Sequence, residues 1–489
     1  MAIEKMRERL LPFLFESSAL TDIKEAAFKI LAETGVKFES PEARSILARA
    51  GAKEEADGSI RIPTDMVKAC LKAAPDSFTL YNLHGSPDVD LGGDHSYFTP
   101  GGAALFVLSA DGKTVRQAVA DDIVQTTKLV EELPHIALHT SSLVPSDVPA
   151  EVADCYRLFL ILRHGVKPAV SGAFGLDGIP NMHALLSAAV GSEAELRARP
   201  RAMMVVCPLG PMRWTVESCG NIIDCARLGL PLSFGSIPIP GVSAPATLAG
   251  SVVVHTVETL SGLVLAQTIR EGAPTVYGGT PMHFDMATLN SCLSTPEVAL
   301  MIMGYNQVGK SFGLPTHTFA AISDSKSLDM QAGAETMLSG LVACLSGINI
   351  ITGAGLLEFS RVGSLEKLAA DNDLCHMMLR LKRGLEVNQD TLATDLIMDR
   401  GPGGEYISHA HTLKWFRQES CFLSPTMNRQ ARSHWEEAGG AQLPERAHDL
   451  VTRLTAKQPH KQDHAPAVER VMDDIMKKYG LKELPFRPQ

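Results

Sequence analysis

No stretch of this 489-residue chain approaches the unbroken apolar length of a membrane span, which takes about 18 or more residues. The apolar run 260–267 is followed by Arg270 and Glu271 and reads as a buried helix. A secretory signal is not expected, because Glu4, Lys5, Arg7 and Glu8 crowd the first residues. The nine cysteines include no C-x-x-C pair, so reduced thiols in a cytoplasm are expected rather than a disulfide framework. There is no cationic excess: the formal net charge is −10. That argues against nucleic acid as a partner and suits a cationic small molecule. Aromatics are sparse, with seven Tyr and three Trp against 19 Met, which suggests an adaptable, Met-filled interior. H-E-x-x-H, a Cys ligand cluster and G-x-G-x-x-G are all missing, so neither a metal nor a nucleotide is expected.

What is present is a repeating pattern. Residues 315–359 hold an apolar run, a polar loop, a small-residue helix and a second apolar run ending in Gly353-Ala354-Gly355. That is one β-loop-α-β unit, with its polar side chains just past the strand ends. Apolar runs at 103–108, 137–143, 169–174, 202–207, 232–237, 275–278, 316–321 and 348–352 alternate with helical stretches such as 120–133, 152–162, 215–228, 246–269, 296–312 and 365–385. Eight such units predict an α/β fold, a (β/α)8 TIM barrel, spanning 101–386. Residues 1–100 read as a helical and β-hairpin extension, with helices but no strands in 1–76. Residues 387–489 read as a helical extension that closes one end of the barrel.

In such a barrel the side chains just after the strands line the site. The candidates are Tyr97 and Phe98 before the first strand, then Ser141, Ser142, Ser171, Cys207, Ser236 and Tyr277. Thr280, His283, His317, Asp324, Thr352 and Glu358 follow late in the chain. His283 and His317 read as hydrogen-bonding histidines, His409-x-His411 matches no ligand motif, and Cys207 reads as a small core thiol. Asp329 can cap the helix after it, whereas Asp324 and Glu358 fit a site role and a loop role equally.

The run Ser323-Asp324-Ser325-Lys326, Asp329-x-Gln331-Ala332 and Glu335, then Ser346-Gly347-Ile348-Asn349 and Gly353-Ala354-Gly355, resembles the trimethylamine methyltransferase superfamily. So do Tyr97–Gly102 and the block 406–419, with Pro425, Asn428-Arg429 and Trp435-x-x-x-Gly439. The resemblance implies a (β/α)8 barrel that moves a methyl group from an amine to the cobalt of a separate corrinoid-binding protein, so cobalamin is supplied by the partner and not bound tightly here. The founding enzymes carry pyrrolysine, whereas this chain has only standard residues. It therefore resembles the branch that demethylates quaternary amines such as glycine betaine. A quaternary nitrogen leaves as a neutral tertiary amine, so no general acid is needed. Its charge calls for aromatic faces and carboxylates. On that basis Tyr97 and Asp324 are the expected catalytic residues. Phe98, Tyr277, His283, His317, Glu358 and Thr280 are expected to bind substrate, with Phe284, Ser141, Ser142 and Thr352 as further contacts. Arg361 and Arg213 are the nearest arginines for a substrate carboxylate. A cytoplasmic homo-oligomer is expected. Other readings of such a barrel are a lyase or isomerase, or a non-catalytic binder of quaternary ammonium compounds.

Overall fold

The computed structural model describes residues 14–421, 424, 426–457 and 463–481. Glu4 to Glu8, Pro425 and most of the polar stretch 457–464 lie outside them. Eight parallel strands form the core: β1 (Tyr97–Pro100), β2 (His139–Thr140), β3 (Ala169–Ser171), β4 (Ala202–Val206), β5 (Leu232–Ser236), β6 (Thr275–Gly279), β7 (Thr316–Phe319) and β8 (Ile350–Ala354). They are followed in turn by α1 (Ala120–Glu132), α2 (Ala153–His164), α3 (Gly178–Val190), α4 (Val216–Leu228), α5 (Leu248–Ile269), α6 (Pro296–Ser311), α7 (Met330–Leu345) and α8 (Leu365–Arg383). Each strand pairs with its neighbours in chain order, and β8 pairs with β1. The ring closes through a parallel bridge between Phe98 and Ile136 and the Ala137 N–H, which donates to Phe98 O at 2.8 Å. This is the expected (β/α)8 barrel. Strands such as β5 and β6 are buried at every residue, because helices cover one face and the barrel interior the other.

The first strand is not where the apolar run 103–108 places it. β1 is Tyr97–Pro100, and Phe106–Leu108 lies in a small sheet with Val115–Gln117 and Val362–Gly363. The chain leaves the barrel at Gly101, where a Cβ would sit 1.9 Å from the Leu356 side chain. Residues 1–76 also differ from an all-helical reading. Val36–Phe38, Lys53–Glu54 and Ser59–Arg61 form a small sheet with Arg213–Trp214. Gly35, at φ +80°, makes that turn possible: a Cβ there would meet Ile60 O at 2.4 Å.

The N-terminal end of the barrel is plugged by the hairpin Phe78–Tyr81/Pro87–Leu91. Its Leu80, Val89 and Leu91 form one buried cluster with Leu138, Val170, Met203, Val276 and Ile350. Asn349 fixes the plug by donating to Gly92 O at 3.1 Å and His95 O at 2.9 Å. Two of the C-terminal helices pack on the outer helices of the barrel. Leu443–Thr455 packs on α8 and α1, and Ala465–Lys478 on α3 and α2. Each has a single apolar stripe, such as Val468, Met472, Ile475 and Met476, which suits lying on other helices. Among the described residues, α5 is the helix long and apolar enough to cross a membrane; it is mostly buried in the protein, which accounts for its apolarity.

Candidate functional site

Inside the ring, above the hairpin plug, side chains from four strands form a neutral hydrogen-bonded chain. Ser233 Oγ of β5 lies 2.9 Å from His317 Nδ1 of β7. His317 Nε2 lies 3.0 Å from Thr352 Oγ1 of β8, which is 3.1 Å from Thr99 Oγ1 of β1. Burial pushes His317 down to about 3. Its imidazole is therefore neutral, with one ring nitrogen donating and the other accepting.

Above this floor, at the C-terminal mouth, is a cavity of ≈ 440 Å³. Thr352, Thr140, Val205 and Phe319 line it from the strands, and Gly102, Ala103, Ser141, Cys207 and Phe174 from the following loops. Asn221 and Glu217 of α4 and Arg157 of α2 complete the wall. Ser141 Oγ and Ser171 Oγ pair at 2.6 Å, and Thr140 Oγ1 donates to Gly101 O at 2.5 Å. Asn221 donates to Ala173 O at 3.2 Å, leaving its buried Oδ1 without a partner. Cys207 is not a core thiol: it faces the cavity. Although Cys207 is exposed to the cavity, desolvation by the surrounding protein, and then the Glu258 charge, push its thiol up to about 11, so it is not a thiolate at neutral pH. Exposed apolar side chains ring the mouth in the loops after the strands, among them Leu105, Phe174, Leu176, Leu209, Val242 and Met286.

Arg157 is the functional candidate that strand-end reasoning missed. It is 3% exposed, on the inner side of α2. Its Nη2 donates to Ser141 O, its guanidinium lies 5.1 Å from the Phe174 ring centroid, and Nε and Nη1 have no acceptor. Burial lowers it to about 10, partly offset by the Asp154 charge, so it stays cationic. The signal was legible: one Arg in the apolar run Cys155-Tyr156-Arg157-Leu158-Phe159-Leu160.

Several expected site residues stand elsewhere. Tyr97 opens β1, so its side chain lies at the plugged end, where its hydroxyl accepts from Asp90 N at 3.3 Å. Phe98 is fully buried in the main core, which the helices pack against. Tyr277 is also buried, donating to Thr256 Oγ1 of α5 at 2.8 Å. Ser236 donates to Glu258 of α5 at 2.6 Å. His317 is part of the floor, and of the expected residues Ser141, Ser171, Cys207 and Thr352 line the cavity itself. His283 and Phe284 belong to a hairpin after β6; His283 Nδ1 is 3.8 Å from Glu297, and Thr280 is buried, its N–H donating to Ser236 O at 2.8 Å. Arg361 lies over Phe106, and Arg213 pairs with Glu39. None of these lines the cavity.

Asp324 and Glu358 belong to a staple that joins three mouth loops. The Asp324 carboxylate accepts from Leu293 N and Ser294 N at 3.0 and 3.1 Å. Glu335 accepts from Asp324 N at 2.8 Å and Ser323 Oγ at 2.7 Å, and Glu358 N donates to Ser325 O at 2.9 Å. Burial first, with the Glu335 charge adding, raises Asp324 to about 6. Glu358, Phe359 and Ser360 all have positive φ, a strained run for non-glycine residues. Asp329 caps α7 through Ala332 N at 2.9 Å, and His409 Nδ1 caps a later helix through His411 N at 3.1 Å. Among the described residues no group of three or more His, Cys, Asp and Glu could hold a metal ion.

The family model for trimethylamine methyltransferase (MTTB) matches residues 5–480. The chain is 27% identical over 471 residues to a trimethylamine methyltransferase of Desulfitobacterium hafniense, covering 96% of this chain and 95% of that one. It is 29% identical over 437 residues to a glycine betaine methyltransferase of the same species, covering 89% and 90%. The monomethylamine methyltransferase of Methanosarcina barkeri superposes with a TM-score of 0.55 at 11% identity, covering 99% of this chain and 93% of that one; this likeness concerns the fold. The chain belongs to the trimethylamine methyltransferase family and is a methyltransferase.

Proposed function

We propose that this member of the trimethylamine methyltransferase family takes a methyl group from a quaternary amine, glycine betaine or a related betaine, and gives it to the Co(I) of a separate corrinoid protein. The cavity carries this reading. Its inner wall pairs hydroxyls with an aromatic ring, Thr352 and Thr140 beside Phe319, over a neutral His317. Neither the thiol of Cys207, held up at about 11, nor neutral His317 is suited to deliver a proton near neutral pH. A quaternary nitrogen asks for none, because it departs as a neutral amine once its carbon is taken. Aromatic contact with such a cation contributes roughly 0.5–2 kcal/mol.

A reduced corrinoid supplies the nucleophilic electron pair. This chain's residues position the N-methyl group and exclude water from it. The apolar rim of Phe174, Leu176, Leu209, Val242 and Met286 suits the approach of a flat macrocycle held by a partner. The glycine betaine methyltransferase among the relatives supports the choice of substrate.

The test mixes the protein with a reduced corrinoid protein and, in turn, betaines, carnitine and simple quaternary amines, and follows the Co(I) absorbance. Loss of that absorbance with a quaternary amine, dependent on this protein, is expected. No loss with any of them overturns the proposal.

A further inference from the structure

We infer that Arg157 receives the carboxylate of a zwitterionic substrate and so selects betaines over quaternary amines that carry only the positive charge. The inference rests on the quaternary-amine reading and names the residue that sets its substrate class. α2 buries this guanidinium among apolar neighbours, 3% exposed. One N–H is used by Ser141 O, while Nε and Nη1 lack any acceptor. The Asp154 carboxylate is occupied elsewhere, accepting from Cys155 N at 2.6 Å and Phe174 N at 3.0 Å. Among the described residues no acid forms a salt bridge with Arg157.

A buried cation with free donors is unfavourable unless something completes it. Arg157 borders the cavity, so a ligand there can do so. A carboxylate matches guanidinium best, through charge-assisted hydrogen bonds. The like charge also works in the other direction. A purely cationic amine would share the cavity with an unpaired guanidinium and be repelled by it, while Glu217, the other charged side chain in the wall, is exposed and screened by water. A betaine resolves both, with its carboxylate on Arg157 and its ammonium toward Phe319 and Thr352.

The test uses the full-length protein and calorimetric binding of three probes. These are glycine betaine, choline, and the tert-butyl carboxylate in which carbon replaces the quaternary nitrogen. The last carries the anion alone. Wild type is expected to bind betaine at least ~10-fold more tightly than choline, the scale of one charge-assisted hydrogen bond, and to bind the tert-butyl carboxylate. Arg157→Met should collapse the betaine-to-choline ratio and lose the carboxylate probe; Arg157→Lys should restore part of both. An unchanged ratio in Arg157→Met overturns the inference. If that variant does not fold, the wild-type carboxylate probe decides: binding that betaine displaces supports the anion site, and no binding overturns it. Failure of every quaternary amine to methylate a corrinoid protein, with Arg157-dependent carboxylate binding intact, would sink the methyl-transfer reading and leave the anion site standing.

Discussion

His317 Nε2 lies 3.0 Å from Thr352 Oγ1, and Thr352 forms part of the cavity wall. A buried imidazole therefore holds a hydroxyl at the place where substrate is proposed to sit. His317→Leu leaves Ser233 and Thr352 without this partner, and should lower stability in urea by about 1–3 kcal/mol. Because burial pushes His317 down to about 3, its neutral form persists across the working range. Methyl transfer should show no titration step in the ordinary histidine range, about pH 6–7, that disappears in His317→Gln. Such a step would contradict the neutral floor.

Asp324 should act on stability with a definite sign. Its folded pKa, about 6, lies above the ordinary 3.8. Its contribution is fully present below the unfolded value and is lost as pH rises through about 6. The stability difference between wild type and Asp324→Asn should therefore shift against wild type by up to about 2 kcal/mol between those limits. Denaturation curves across this range measure it. A shift of the opposite sign would mean that the two amides of Leu293 and Ser294 outweigh burial.

Tyr97 separates the two ends of the barrel. Its hydroxyl meets Asp90 N at 3.3 Å beside the hairpin plug. Tyr97→Phe should leave methyl transfer unchanged within about twofold and cost about 0.5–1.5 kcal/mol. Tyr97→Ala should cost about 2–4 kcal/mol through the cavity it leaves, while the remaining folded protein stays active. Loss of turnover in stable Tyr97→Phe would place the site at the wrong end.

Cys207 tests the cavity by volume. A Cβ on Gly235 would meet Cys207 Sγ at 2.8 Å, so this part of the wall has no slack. Cys207→Ser should keep turnover within about threefold, because a thiol raised to about 11 has no nucleophilic role near neutral pH. Cys207→Trp should abolish turnover by filling the space. Rapid alkylation of Cys207 at neutral pH, with loss of activity in Cys207→Ser, would contradict this.

The barrel was legible because seven of its strands coincide with apolar runs bounded by turns. β1 was not, since Tyr97–Pro100 contains Thr99 and Pro100 while the neighbouring 103–108 is more apolar. The facing of Tyr277 was equally hidden. β6 is buried on both sides, so hydropathy cannot distinguish the face toward the ring from the face toward α5. The Ser323–Glu335 motif was recognisable, but its hydrogen bonds to Leu293 and Ser294 depend on tertiary contacts. Arg157 lies in a helix, where attention to strand ends does not look. Its oddity in an apolar run was visible; its missing partners were not.

The decisive measurement is a product balance. Glycine betaine with isotopically labelled methyl groups would be incubated with the protein and a stoichiometric reduced corrinoid protein, and the amine product and the labelled corrinoid both quantified. One dimethylated amine released for each label on the corrinoid, and none without the corrinoid protein, is the expected result. Product formed without the corrinoid protein, or label remaining wholly on the amine, would contradict methyl transfer at this barrel mouth.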